Sequence, residues 1–299
     1  MPMPTFLVLG VAKAGTTSLY QYLKQHPQIY MAPSKEPNFF AYGEAPLPAF
    51  RGPGTANMQQ RVVSTLAAYQ ELFNGLTGEL AWGEVSTTNF MPRACTRIHQ
   101  YAPDAKLVLI LRQPAERAYS QFLHTQRLGW EPLGDLREAV AVEAIRIRQN
   151  WLPLLCYTSP GFYAAILQQY FDCFPREQIR IYLYEEWQRQ PTVVLQDLFR
   201  FLTIDEHFAP DMTVRYNAGV APRSNWLARF LRQSHPLKRW LSPLAPAAVR
   251  QRVVRSLTHR NLTKPPPLDP QLRAQLTALY RDDILRTQEL LGRDLSHWL

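Results

Sequence analysis

The sequence predicts a three-layer α/β domain in which a central, mostly parallel sheet is flanked by helices. Two compact apolar runs, at 5–9 and 106–111, have the length and composition of buried parallel strands, and 179–184 reads as a third strand. Helix-spaced segments separate them, and no repeat period runs through the chain. The hydrophobic share of 46% excludes a disordered or fibrous protein.

The first strand ends at Gly10, and 16–25 follows with Leu19, Tyr20 and Leu23 at helical spacing. Segment 42–55 is rich in proline and glycine and reads as a surface loop. The second strand runs into Arg112-Gln113-Pro114. Proline suits a first helical turn, so a helix is expected from Pro114 through Arg117, Tyr119, Ser120 and Leu123 to a stop at Gly129. Further helices are expected over 135–149, 162–174, 191–202 and 270–291. Pro265-Pro266-Pro267 is a stiff connector to the last of these rather than a boundary, so residues 1–299 are expected to form one domain.

No apolar run approaches the ~18–20 residues of a membrane span. Residues 1–10 lack a basic region and a small-residue cleavage site, so they read as a strand, not a signal peptide. Cys95, Cys156 and Cys173 are odd in number and lack metal-ligand spacing. The expectation is a reduced, cytoplasmic protein without a metal site.

The net charge of +9 is unevenly placed. Segment 215–264 holds 11 basic and no acidic residues, whereas the remainder, with 22 basic and 24 acidic, is close to neutral. Solvated basic helices account for such a run as readily as an anionic ligand or surface does. Within it Trp226, Phe230, Leu231, Trp240 and Leu241 alternate with Arg229, Arg232, Lys238 and Arg239. That pattern fits contact with an anionic polysaccharide or a membrane surface; packing onto the domain is the commoner outcome. No recognition motif accompanies the charge, so no nucleic-acid partner is expected.

Gly10-Val11-Ala12-Lys13-Ala14-Gly15-Thr16-Thr17-Ser18 joins the first strand to the first helix, with glycines five apart as in a Walker loop. A helix start with exposed N–H groups is an anion site, and the hydroxyls of Thr16, Thr17 and Ser18 add donors. The lysine of a Walker loop follows its second glycine, but Thr16 stands there and Lys13 lies inside the loop. The strand at 106–111 is followed by Arg112 rather than a magnesium-binding aspartate. The loop therefore suits a phosphate within a P-loop-like fold but lacks the usual metal site of ATP hydrolysis. Arg112 sits at a strand's C-terminal end, where ligands bind in open parallel sheets, and offers planar donors to a phosphate. Ser120 follows by a little over two helical turns, while Arg117 is better suited to holding the helix by internal pairing.

In these two motifs the chain resembles PAPS-dependent sulfotransferases, especially the branch of heparan sulfate sulfotransferases and their bacterial homologues. Lys13 to Ser18 is similar to that family's 5′-phosphosulfate loop, and Arg112 with Ser120, eight residues on, to its 3′-phosphate motif. Lys35-Glu36-Pro37-Asn38-Phe39-Phe40 resembles the branch's Lys-Glu-Pro-His-Phe-Phe segment. Gly161-Phe162-Tyr163, the run from Phe174 to Ile179 and the run from Gly292 to Leu299 also resemble bacterial members, so the likeness spans nearly the whole chain.

The resemblance implies transfer of the sulfuryl group of PAPS to an acceptor hydroxyl or amine, with adenosine 3′,5′-bisphosphate leaving and no metal required. It assigns Lys13 to the bridging region of the phosphosulfate, and Ala14, Gly15, Thr16, Thr17 and Ser18 to the 5′-phosphate cradle. Arg112 and Ser120 would hold the 3′-phosphate, and Arg223, in a late basic stretch, is a further cofactor-binding candidate against the plainer reading of a surface arginine. Glu36 is the expected general base, although residue chemistry alone favours simple pairing with Lys35 or a loop amide. His124, one turn beyond Ser120, is the competing base, and His26 reads as a helix-end residue. Val85 replaces a lysine usual in the branch, leaving Glu84 either facing the acceptor or an ordinary strand-end carboxylate. The resemblance makes a carbohydrate the default acceptor, with a lipid, an acyl chain on a carrier protein or a small hydroxylated metabolite left open. Absence of an anchor favours a bacterial cytosolic enzyme. Alternatives are a P-loop kinase or nucleotidase using Mg·ATP, and a non-catalytic anion-binding protein.

Overall fold

The computed structural model describes residues 2–213, 221–224, 227, 257 and 261–299. Five parallel strands form the sheet: β1 (Phe6–Gly10), β2 (Ile29–Met31), β3 (Ala81–Val85), β4 (Lys106–Leu111) and β5 (Ile179–Leu183). Their order is β2-β3-β1-β4-β5, which puts β1 at the centre. Every residue of β1 is buried, as expected of a strand covered on both faces. The chain runs outward to β2 and back through β3, then crosses to β4, so the strand order reverses beside β1. A crevice for ligands opens at such a switch point.

The helices divide into two sets. Helices α1 (Thr16–Leu23), α10 (Tyr184–Arg189) and α11 (Pro191–Leu202) attach to β2, β3 and β5. The second set comprises α2 (Phe39–Tyr42), α5 (Pro92–Tyr101), α6 (Pro114–Arg127), α9 (Ala164–Cys173) and α12 (Pro270–Leu291), which pack on one another. The short helices α3 (Thr55–Arg61) and α4 (Leu66–Glu71) precede β3, while α7 (Leu136–Ala141) and α8 (Glu143–Arg148) follow α6. Among the described residues no helix is long and apolar enough to cross a membrane.

The three expected strands form, and helices occupy the expected places with ends shifted by a residue or two. The helix expected over 135–149 is instead the pair α7 and α8, broken at Val142. The break turns Glu143 inward, where its carboxylate accepts the backbone N–H groups of Tyr157 and Thr158 at 2.7 Å and Ser159 at 2.8 Å. Strands β2 and β3 gave little apolar signal. One has three residues, and the other is interrupted by Gly83 and Glu84. Gly83 is required there, because a Cβ would lie 2.3 Å from the Phe6 carbonyl oxygen of β1.

The 42–55 segment runs between the end of α2 and the start of α3 as a loop. The proline connector passes along α6, with the Pro266 carbonyl accepting the Tyr119 hydroxyl at 2.9 Å. Beyond α12 the buried Trp298 returns to the sheet, and its carbonyl accepts Gln113 Nε2 at 3.0 Å. Gln113 Oε1 accepts the Glu116 N–H at 2.8 Å, capping α6.

Candidate active site

Segments following the C-terminal ends of all five strands line one cleft of about 1710 Å³. Five cationic side chains face it: Lys13, Lys35, Arg61, Arg112 and Arg117. Glu36 is the one carboxylate among its described lining residues. A polyanion is the ligand such a balance favours.

The loop after β1 reaches the cleft through two residues in left-handed conformation, Lys13 (φ 72) and Gly15 (φ 83). Gly15 caps α1 and lies against Trp187, whose Nε1 would be 2.8 Å from a Cβ at that position. Gly15, Thr16, Thr17 and Ser18 line the cleft, so the start of α1 is presented there, where a helix favours an anion. Ala14 is wholly buried beneath the loop with its N–H on the Val11 carbonyl at 3.2 Å, so it shapes the loop from below.

Arg112 leaves β4 with Nη1 donating to the Lys13 carbonyl at 2.8 Å and its guanidinium carbon 4.5 Å from the centroid of Tyr184. Tyr163 donates its hydroxyl to the Arg112 carbonyl at 2.8 Å. Burial, then repulsion from Arg127, Arg112 and Lys35, lowers the Lys13 ammonium to about 7. Burial lowers Arg112 as well. The pocket thus holds cations at an electrostatic cost that a bound anion relieves.

Ser120 and His124 stand on successive turns of α6, both in the cleft. Arg127 Nη2 lies 3.0 Å from His124 Nδ1; because guanidinium only donates, Nδ1 accepts. Arg117 is wholly buried and pairs internally with Gln121 Oε1 and the Tyr157 carbonyl, while its Nε has no partner among the described residues.

Glu36 enters from the β2 side. Its backbone is left-handed (φ 63), as is that of Asn38 (φ 57), and its N–H is held by the Val85 carbonyl at 2.9 Å. Positive φ at a non-glycine residue costs on the order of 1–3 kcal/mol and clusters at functional sites. Lys35 Nζ meets Glu36 Oε1 at 2.6 Å, and the Thr87 N–H donates to Oε2 at 2.8 Å. Both partnerships expected from bare residue chemistry are therefore made, inside the cleft.

Glu84 does not reach the cleft. It is wholly buried and accepts Ser86 Oγ at 2.8 Å and Asn89 Nδ2 at 2.7 Å. Burial pushes its carboxyl up to about 7 against those hydrogen bonds. Val85 is also wholly buried, so the position of the missing lysine faces the core. His26 is buried between Phe199 and Phe208, with Nε2 2.9 Å from the Asp205 carbonyl. Arg223 is exposed and outside the cleft lining. Arg215, Trp226, Arg229, Phe230, Leu231, Arg232, Lys238, Arg239, Trp240 and Leu241 lie outside the described residues.

Several lining residues carried no signal that the sequence reading used. Tyr184 and Trp187 directly follow β5, so the rule that ligands bind beyond strand C-termini would have marked them. Arg61 and Met58 sit on α3, a mostly polar helix with no buried residue, and nothing in its pattern points to a cleft.

Comparison with known proteins follows this geometry. Over residues 4–209 the chain matches the pattern described as the sulfotransferase family. The mouse bifunctional heparan sulfate N-deacetylase/N-sulfotransferase 4 is 23% identical over 309 residues, covering 99% of this chain and 31% of that protein. The human bifunctional heparan sulfate N-deacetylase/N-sulfotransferase 3 is 26% identical over 308 residues, with the same coverage. The chain thus spans about a third of the length of these relatives. The crystal structure of a sulfotransferase from Alicyclobacillus acidocaldarius superposes with a TM-score of 0.77 at 33% identity, covering 100% of this chain and 99% of that one. With most of the sheet and its cleft inside the matched region, the chain belongs to the sulfotransferase family.

Proposed function

We propose that the chain transfers the sulfuryl group of PAPS to an acceptor hydroxyl or amine by in-line displacement. The observation that carries this reading is the convergence of Lys13, the start of α1 and Arg112 on the cleft whose one described carboxylate is Glu36. The donor fits on chemical grounds. Arg112 uses one nitrogen on the Lys13 carbonyl, leaving its other N–H groups without protein acceptors among the described residues. When bound, PAPS supplies the sulfuryl group and leaves as adenosine 3′,5′-bisphosphate.

Lys13 offsets charge on the departing phosphate, and the amides and hydroxyls of Gly15, Thr16, Thr17 and Ser18 cradle it. Arg112 and Ser120 hold the 3′-phosphate, the group that separates this donor from ATP. Glu36 takes the acceptor's proton on a carboxylate oxygen, with Lys35 paired to Oε1 and the Thr87 N–H fixing its direction. His124 is the second candidate for that proton. The reading needs no metal ion, since Arg112 stands where a magnesium-binding aspartate would. The three free cysteines support a reducing, cytoplasmic setting.

Calorimetric titration with adenosine 3′,5′-bisphosphate in the absence of metal, beside 5′-AMP and Mg·ATP, tests the proposal. The bisphosphate is expected to bind best, and Arg112→Ala to remove roughly 1.5–3 kcal/mol, about one to two decades in affinity. Binding of Mg·ATP alone would favour a kinase or nucleotidase instead. Silence with every nucleotide would favour a non-catalytic protein.

A further inference from the structure

The cleft lining is apolar in part. Met58 and Val62, at and just beyond α3, together with Phe90, Met91, Trp130 and Leu154, present apolar groups to it. This wall starts beside the base. The Val63 N–H donates to the Pro37 carbonyl at 2.9 Å, and Phe90 and Met91 follow the turn whose Thr87 touches Glu36. The wall is also anchored. Gly54, the N-cap of α3, lies on the face of Trp130 so closely that a Cβ would sit 2.5 Å from the ring. Charge at this end is sparse. Lys35 is committed to Glu36, and Arg61 is the remaining cation, with no protein partner for its guanidinium among the described residues. A multiply charged glycan would find one unpaired cation here, with Asn57 and Gln60 of α3 as the neighbouring polar groups.

We propose that the acceptor is an amphiphile: a hydroxyl or amine carried on an apolar chain or ring, with a single acidic group that meets Arg61. This rests on the sulfuryl-transfer reading and names the acceptor class for the same cleft. Met58, Val62 and Trp130 take the apolar body, the hydroxyl lies against Glu36, and Arg61 fixes polarity and register.

The test is calorimetric titration of the full chain, with adenosine 3′,5′-bisphosphate present, using ω-hydroxyalkanoates of six, eight and ten carbons. Comparators are 1,8-octanediol and a glucosamine–glucuronate disaccharide. Affinity is expected to rise about fourfold per methylene, the increment of a buried CH₂ group. The eight-carbon acid should bind roughly fivefold more tightly than the diol, the scale of an exposed ion pair. Arg61→Ala should erase that difference while the affinity for adenosine 3′,5′-bisphosphate stays at its wild-type value. The proposal is overturned if the disaccharide binds more tightly than every hydroxyalkanoate. Affinity independent of chain length, or an acid–diol difference that survives in Arg61→Ala, overturns it equally. Bisphosphate binding without chain-length dependence removes the acceptor assignment alone. Chain-length dependence without bisphosphate binding removes the donor reading alone.

Discussion

The two ends of the cleft are built in different ways. The end proposed for the donor is made of turns that leave the strands directly: the loop after β1, Arg112 after β4 and Tyr184 after β5. The end proposed for the acceptor hangs on α3, which buries none of its own residues, and is held in place by Gly54 on Trp130 and Gly52 on Trp151. One end inherits its geometry from the sheet, so its side chains can be held even at an electrostatic cost. The other depends on a loop, where exchange of a few residues can change the acceptor without disturbing the donor.

The junction between the two ends gives the sharpest separation. Glu36→Gln is expected to lower kcat by about 10²–10⁴, the range of general-base catalysis, with donor and acceptor affinities little changed. His124→Ala is expected to cost less. Single-turnover release of adenosine 3′,5′-bisphosphate from PAPS measures both; wild-type turnover in Glu36→Gln with collapse in His124→Ala would exchange their roles.

A second, smaller effect belongs to the donor end alone. In the free protein Lys13 loses its proton near 7, whereas a bound phosphate dianion favours the ammonium. Donor affinity is therefore highest at the lower end of the range from pH 7 to 9. It falls as pH rises, by at most about tenfold per unit, with proton uptake on binding. Titrations in two buffers of different ionisation enthalpy measure that uptake, and Lys13→Met should abolish it. Acceptor affinity should show no such slope.

The smallest effect belongs to the other end. Gly54→Ala places a methyl group into the Trp130 ring at a φ of 88°, which strains the cap by on the order of 1–3 kcal/mol and shifts α3. The acceptor KM should rise a few-fold while bisphosphate affinity is retained. Loss of both affinities together would show that the two ends are mechanically one.

The same division governs what could be read from the amino acids. Strands β1 and β4 are solid apolar runs because helices cover both faces, β5 keeps enough apolar positions around the exposed Arg180 to read as a strand, and the loop from Gly10 to Ser18 and the stretch from Arg112 to Ser120 announce themselves by residue type and order. Strand β3 did not, since Gly83 is dictated by contact with Phe6 and Glu84 is buried by virtue of Ser86 and Asn89. The division between α7 and α8 depends on Glu143 finding three amides near Tyr157, a contact no local pattern encodes. Met58 and Arg61 were invisible for a similar reason: their relation to the cleft is set by two distant tryptophans beneath the preceding glycines.

The hydrogen bond from Gln113 to the Trp298 carbonyl gives the protein a timetable. The helix that carries Ser120 is capped by Gln113, and Gln113 is held by a residue 185 positions further along the chain. A nascent chain can pair β1 to β5 and close the loop after β1 before Trp298 has been made, but until then it cannot brace the start of the helix that carries Ser120. For the same reason a fragment cut at residue 209, where the family match ends, would keep every nucleotide-facing side chain proposed within 13–120 and lose the brace behind them.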